Sequence, residues 1–88
     1  MHEMSLMADL MLKIETVAME HGAGRVARVK IKLGALSHFS PEHFRDHFVH
    51  ASRGTRAEGA TLDVVESDDT CDPRAQDVML ESVEVAEP

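Results

Sequence analysis

The stretch Arg25-Val26-Ala27-Arg28-Val29-Lys30-Ile31-Lys32-Leu33 carries the clearest pattern in the chain. Apolar side chains take every second position, at Ala27, Val29, Ile31 and Leu33, and mostly basic side chains stand between them. Because successive side chains of a strand point to opposite faces, this alternation predicts a half-buried strand with a basic outer face. Gly34 ends the predicted strand. We expect the basic row to be a solvated face, with contact to an acidic partner as the alternative.

The segment that starts at Ser40-Pro41-Glu42 predicts a helix that runs to about Ser52. Serine is a favoured N-cap residue, and proline suits the first helical position. Phe39 and Phe44 have the spacing of a hydrophobic staple across this helix start. Gly54 follows as the predicted C-terminal cap.

Residues 4–21, ahead of the strand, predict another helix, which Gly22 and Gly24 end. Its apolar stripe consists of Leu6, Leu10, Ile14 and Val17, widened by Met7, Met11 and Ala18. We expect the methionines to fill the core, and a soft-metal or binding face is the alternative.

Two further strands are predicted at residues 60–66 and 77–86, with a loop at residues 67–76. In the last strand the alternation slips between Leu80 and Val83, which predicts a bulge. The order α-β-α-β-β predicts an α+β fold with two helices packed on one face of a small three-stranded sheet. The first strand, second helix and second strand are expected to form a crossover unit. The short loop before the third strand suggests a hairpin between the second and third strands.

The composition excludes several function classes. The 88 residues suffice for a single small domain, residues 1–88, and the net charge of −7 argues against a nucleic-acid partner. The single cysteine, Cys71, excludes an intrachain disulfide and a zinc site made of paired cysteines. Neither a membrane span nor a signal-peptide pattern is visible, so we expect a cytoplasmic protein without a membrane partner. No catalytic constellation emerges, and we expect no enzyme.

The first three residues, Met1-His2-Glu3, offer a candidate metal site. The α-amine and the His2 amide can form a five-membered chelate ring, and the His2 amide with its own imidazole Nδ1 a six-membered ring. The Glu3 amide is a further candidate ligand. Deprotonated amides and imidazole in one plane favour Ni(II) or Cu(II) over Zn(II), which prefers a tetrahedral set. The alternative is an ordinary chain start.

The second predicted helix carries His43, His47 and His50 along one stripe, beside the stripe of Phe44 and Phe48. His43 and His47 have the spacing of a two-histidine metal site, and His38 lies just upstream. A second metal site at His43 and His47 is therefore a candidate. A solvated helix edge is the alternative.

The opening residues 1–6, Met1-His2-Glu3-Met4-Ser5-Leu6, resemble the start of the HypA/HybF nickel metallochaperones of NiFe-hydrogenase maturation. Similar stretches follow in the same order, at residues 25–29, 33–37, 41–48, 52–55, 57–60 and 80–85. The resemblance covers about residues 1–66 and 77–86. It implies a nickel metallochaperone that binds Ni(II) at Met1, His2 and Glu3. It also implies two partners, a HypB-like GTPase and the large subunit of a NiFe-hydrogenase.

The chain departs from that family at residues 67–76. Family members carry a zinc domain with two Cys-x-x-Cys pairs here, whereas this chain has a short loop with Cys71. We therefore expect a nickel-binding domain without the zinc domain and without structural zinc. Cys71 is expected to have no role, with a remnant metal ligand or an intermolecular disulfide as alternatives. The alternative function is a non-metal adaptor that docks on hydrogenase maturation proteins, or that forms a homodimer through an exposed edge of its sheet.

Overall fold

The strand predicted around residues 25–33 lies at the centre of the sheet. The computed structural model describes residues 3–86, with side chains from Ser5 onward. Its elements, in chain order, are α1 (Glu3–Glu20), β1 (Val26–Leu33), α2 (Pro41–Ser52), β2 (Thr61–Glu66) and β3 (Val78–Val85). The sheet order is β2-β1-β3. The predicted α+β fold, with its order α-β-α-β-β, is confirmed.

The strand pairing confirms one predicted connection and corrects another. β1 and β2 are parallel, with α2 between them in the chain, as the crossover unit requires. β3 pairs antiparallel with β1 and not with β2, so the predicted hairpin of the second and third strands is wrong. The short loop is long enough to pass over the end of β1, and this places β3 beside the central strand.

Two bulges in the pairing of β1 with β3 change which residues face each side of the sheet. Val26 pairs with Val85 and Arg28 with Glu84, so Ala27 is the extra residue of a bulge. Val26 is buried and Ala27 exposed, which corrects the prediction that Ala27 faces inward. The bulge predicted in the last strand is confirmed, since Lys30 pairs with Ser82 and Ile31 with Leu80. The residue between these partners, Glu81, has no counterpart on β1.

Both helices contribute to a single core on one face of the sheet. Its largest fully buried side chains are Phe44, Phe48, Ile14, Ile31, Leu33, Val26 and Val29. Met7 and Met11 are only 4% and 8% exposed, which confirms that these methionines fill the core. Val17, predicted on the buried stripe, is only half-buried, while Ala18 is fully buried. In the part of the chain that the structure describes, neither helix has the length and apolar character to cross a bilayer.

Gly34 follows β1 where two chain segments meet. An added Cβ atom would lie 2.2 Å from the Ala75 carbonyl oxygen and 2.8 Å from that of Asp77. The Gly34 amide donates to the Asp77 carbonyl (2.9 Å) and the Leu36 amide to that of Ala75 (2.7 Å). The Ser67 amide donates to the Leu33 carbonyl at 2.9 Å. Backbone hydrogen bonds thus hold both ends of the segment between β2 and β3 against the end of β1.

The basic row on β1 faces carboxylates from both neighbouring strands. Arg28 lies 3.5 Å from Asp63 on β2 and 3.9 Å from Glu84 on β3. All three side chains are about half-exposed, so each ion pair stabilises the fold only slightly. Arg28 therefore already has acidic neighbours within its own sheet.

Candidate metal site at the shared end of the helices

The two helices begin at the same end of the molecule. Leu36–Phe39, which lead from β1 into α2, line a groove with Leu6 and Leu10 from the first half of α1. At the other end, Glu15 on α1 contacts Arg56, beyond the end of α2. Since α1 leads into β1 and α2 connects β1 to the parallel strand β2, both helices run opposite to β1 and therefore parallel to each other. The first turn of α1 therefore lies at the end where β1 finishes and α2 begins.

α1 begins at Glu3, directly after the first two residues of the candidate site. The first four N–H groups of a helix have no carbonyl acceptor within that helix. The Glu3 amide therefore has no intrahelical hydrogen bond to lose if it binds a metal. The predicted ligands Met1 and His2, and the Glu3 side chain, lie outside the described part of the structure, so the predicted site remains a prediction.

The start of α2 is fixed by the cap that the sequence predicts. The Ser40 side chain accepts a hydrogen bond from the His43 amide at 3.1 Å, and Pro41 occupies the first turn. Phe39 packs edge-on against Phe44 with their ring centroids 5.9 Å apart. The predicted N-cap and staple are both confirmed, and together they hold the first turn of α2 that carries His43.

His43 and His47 lie on adjacent turns with their ring centroids 4.5 Å apart and the rings inclined by 37°. His43 is exposed and His47 is half-buried. The structure thus brings the two predicted second-site ligands together. Among the side chains that the structure describes, no three histidine, cysteine, aspartate or glutamate residues come together to hold a metal ion. The pair alone forms at most half of a tetrahedral site.

His38 lies in the groove beside Leu6 and Leu10, with a backbone φ of +64°. Residues other than glycine seldom adopt this left-handed conformation, and histidine adopts it more readily than most. The sequence placed His38 only as a residue upstream of α2. Its backbone conformation had no signal in the sequence, because neither glycine nor asparagine marks the turn.

A hydrogen-bonded ion pair that the sequence did not predict joins Glu15 on α1 to Arg56 in the segment before β2. The Arg56 amide donates to Glu15 Oε1 at 2.7 Å, and Arg56 Nη1 donates to Glu15 Oε2 at 2.6 Å. The backbone hydrogen bond, aided by the guanidinium, holds the pKa of Glu15 below its ordinary value near 4.5, although burial opposes the shift. The Arg56 carbonyl accepts from the Val26 amide at 2.8 Å, so the same residue also fixes the start of β1.

The loop between β2 and β3 carries the only thiol of the chain, that of Cys71. Cys71 is exposed, and its amide donates to Asp69 Oδ1 at 3.0 Å. Aspartate side chains thus shape the turn in which Cys71 lies. No other cysteine exists in the chain to pair with it.

Comparisons with known proteins place the chain in a family. The sequence model of the family described as "Hydrogenase/urease nickel incorporation, metallochaperone, hypA" matches residues 1–84. Hydrogenase maturation factor HypA of Chlorobium limicola is 42% identical over 66 residues, 75% of this chain and 57% of that protein. Hydrogenase maturation factor HypA 1 of Bradyrhizobium diazoefficiens is 41% identical over 66 residues, 75% of this chain and 58% of that protein. The chain thus spans somewhat more than half the length of these relatives.

A solved structure supports the fold. The solution structure of the Ni metallochaperone HypA from Helicobacter pylori superposes with a TM-score of 0.78 at 19% identity and covers 97% of both chains. At that identity the likeness concerns the fold alone. With the family match over residues 1–84 and the matching fold, the chain belongs to the HypA family of hydrogenase and urease nickel-incorporation metallochaperones.

Proposed function

We propose that this chain is a nickel carrier that binds Ni(II) at its N-terminus and releases it for NiFe-hydrogenase maturation. The observation that carries the proposal is the family match, which extends from residue 1 to residue 84 and so includes Met1-His2-Glu3. Nickel is the cargo here and not a resident cofactor. The chain's own contribution is to bind the ion, hold it at an exposed end and yield it by ligand exchange.

The chemistry of the N-terminal donors suits Ni(II). The α-amine, the His2 amide and the His2 imidazole Nδ1 can form two fused chelate rings around one ion. Planar nitrogen sets that include a deprotonated amide favour Ni(II) and Cu(II). The start of α1 at Glu3 supports this arrangement, since the amides of its first turn have no acceptors within the helix.

The partners and location belong to the proposal as well. A HypB-like GTPase and the large subunit of a NiFe-hydrogenase, both in the cytoplasm, are the partners that the family relationship suggests. The relatives reported above are hydrogenase maturation factors, and this chain covers 57% of the length of one of them. We propose that the nickel-binding part of such a factor is what this chain supplies, without structural zinc.

The test is nickel titration of the untagged chain by calorimetry. His2→Ala is expected to weaken Ni(II) binding by about 100-fold or more, since it removes a ligand and a chelate ring. His21→Ala is the matched control because His21 is exposed at the far end of α1, where its Nδ1 lies 3.0 Å from the Val17 carbonyl. Near-wild-type affinity in His2→Ala, with an intact fold, would refute the carrier proposal.

A second candidate function is a non-metal adaptor for hydrogenase maturation proteins. The observation that favours it is an open edge of the sheet. β3 has only one strand neighbour, β1, within the described residues, so its other edge is open to a strand from a partner or a second copy. The adaptor is favoured if the untagged chain takes up no nickel yet still co-purifies with a hydrogenase protein.

A further inference from the structure

One face of the sheet carries no helix in the part of the chain that the structure describes. Both helices pack on the other face, where Val29, Ile31 and Leu33 of β1 are buried in the core. The side chains that alternate with these on β1 point away from the core, because successive side chains of a strand take opposite faces. They are the basic side chains of Arg28, Lys30 and Lys32. We call this side of the sheet its outer face.

Two of the three cations on the outer face have no ion-pair partner among the described residues. The chain has a net charge of −7, and these three residues are a third of its nine lysines and arginines. Arg28 lies beside Asp63 and Glu84. Lys30 has Asp63 as its cross-strand neighbour on β2, but the carboxylate lies 3.5 Å from Arg28 Nη1. The positive charges of Lys30 and Lys32 are therefore left for other contacts.

Accessible apolar side chains flank these lysines. Lys32 is paired with Val65 on β2 and with Met79 on β3, and residues directly opposite each other in a sheet share a face. Val65 is 42% exposed and Met79 is half-buried. Lys30, Lys32, Val65 and Met79 together form what we call the basic patch. It combines two positive charges with two apolar side chains near the end of β1.

Charge decides which occupant suits the basic patch. Nucleic acid is disfavoured, since the net charge of −7 repels phosphate and the chain has no tryptophan or tyrosine on which bases could stack. A second copy packed face to face would set the lysines of one patch against the same lysines of the other. Carboxylates, in contrast, are attracted to both lysines, and apolar side chains between them would cover the exposed part of Val65.

We propose that the basic patch binds an acidic segment of a partner protein. The carboxylates of that segment contact the two lysines, and its apolar side chains pack on Val65 and Met79. The patch lies on the side of the sheet opposite to both helices, so a segment bound there leaves the helices uncovered. The proposal goes beyond the nickel carrier and does not depend on it, because no residue of the patch belongs to the predicted nickel site.

The test titrates the isotope-labelled full chain, without nickel, with a short capped peptide of Glu-Leu-Glu repeats. Nuclear magnetic resonance follows the backbone amides. The expected result is that the amides of the basic patch shift, while those of the exposed Arg25 and Arg53 do not. Binding should weaken as salt is added, since ionic contacts at a surface are screened. A peptide with glutamine in place of glutamate should bind far more weakly.

Matched variants separate the patch from general attraction to positive charge. Lys30→Gln/Lys32→Gln should weaken binding of the acidic peptide by about 5-fold or more. Arg25→Gln/Arg53→Gln removes the same charge from exposed positions elsewhere and should leave the affinity unchanged. Val65→Thr keeps a β-branched side chain that suits a strand, so the fold should persist. It should nevertheless weaken binding at high salt, where the apolar contacts dominate.

Several results would overturn the proposal. Equal affinities of the two double variants, or equal shifts around Arg25 and Arg53, would show only general attraction to positive charge. A glutamine peptide that binds as tightly as the glutamate peptide would contradict the role of the lysines. Shifts of the patch that depend on protein concentration without any peptide would identify a second copy as the occupant. Tighter binding of single-stranded DNA than of the peptide would identify nucleic acid.

Discussion

Glu15 and Arg56 are 41 positions apart in the chain and joined by two hydrogen bonds, of 2.7 Å from the Arg56 amide and 2.6 Å from its guanidinium. This contact fixes the position of α1 along its axis relative to α2. It also governs which residues of the two helices lie opposite each other at the end where both helices begin. No local pattern pairs these residues, so the sequence did not predict the contact.

Replacing the Glu15 carboxylate should destabilise the fold. Glu15→Gln keeps an oxygen acceptor for the Arg56 amide but removes the charge that the guanidinium contacts, and we expect a loss of about 1 kcal/mol at neutral pH. Glu20→Gln, at an exposed position at the end of the same helix, is the control and should change stability little. Urea unfolding measures both. Equal stabilities in the two variants would contradict the structural role given to this contact.

The same carboxylate predicts how stability depends on pH. Its folded-state pKa is lowered, so it stabilises the fold at pH values above about 4.5, its ordinary value. That contribution is lost as the pH falls through the lowered folded-state pKa, when the carboxylate is protonated in the native state as well. The stability difference between wild type and Glu15→Gln should therefore shrink as the pH is lowered below about 4.5. A difference that grows on acidification would have the wrong sign for this mechanism.

Gly34 should tolerate no side chain. A Cβ atom there would meet the Ala75 carbonyl oxygen at 2.2 Å, and this neighbour is backbone that cannot rotate away. We expect Gly34→Ala to cost about 3 kcal/mol, at the upper end for overpacking. Gly24→Ala is the matched control because a Cβ atom there meets nothing within 4 Å. Thermal unfolding that shifts equally in both variants would show that the approach of residues 75–77 to Gly34 is looser than described.

The start of α2 offers a prediction about the stability of the fold. Ser40→Ala removes the acceptor of the His43 amide and should cost about 1 kcal/mol. Ser40→Asp restores an acceptor and places a negative charge at the helix N-terminus, so it should recover that stability. Identical unfolding midpoints for the two variants would rule out a role for the cap.

The sequence predicts local features well, because they depend on neighbouring residues. The Ser40 cap, the Phe39–Phe44 staple and the bulge near Glu81 are each visible in a few consecutive positions and are confirmed. The fold class follows from the element order. The sequence pattern predicted that Ala27 faces the core, whereas Val26 does. A bulge reverses the alternation of the side chains here, and no glycine or proline marks it in the sequence.

Contacts between residues far apart in the chain were harder to predict from the sequence. The partner of β3 depends on whether the short loop turns back on β2 or crosses the end of β1, and its composition does not distinguish these paths. The close approach of Gly34 to Ala75 decides the question in the structure. Likewise, the sequence could not show that both helices begin at the same end of the molecule, because this follows only from the packing of α1 and α2 on the sheet.

We propose above all that Met1-His2-Glu3 hold Ni(II) through the α-amine and the His2 side chain. The most direct test compares nickel titrations of the untagged chain with a chain extended by Gly-Ser before Met1, while absorption is recorded. The extension keeps every side chain and moves only the α-amine. We predict one tight nickel ion and a planar-nickel absorption band in the native chain, and loss of both in the extended chain. An unchanged band and affinity in the extended chain would contradict the N-terminal site.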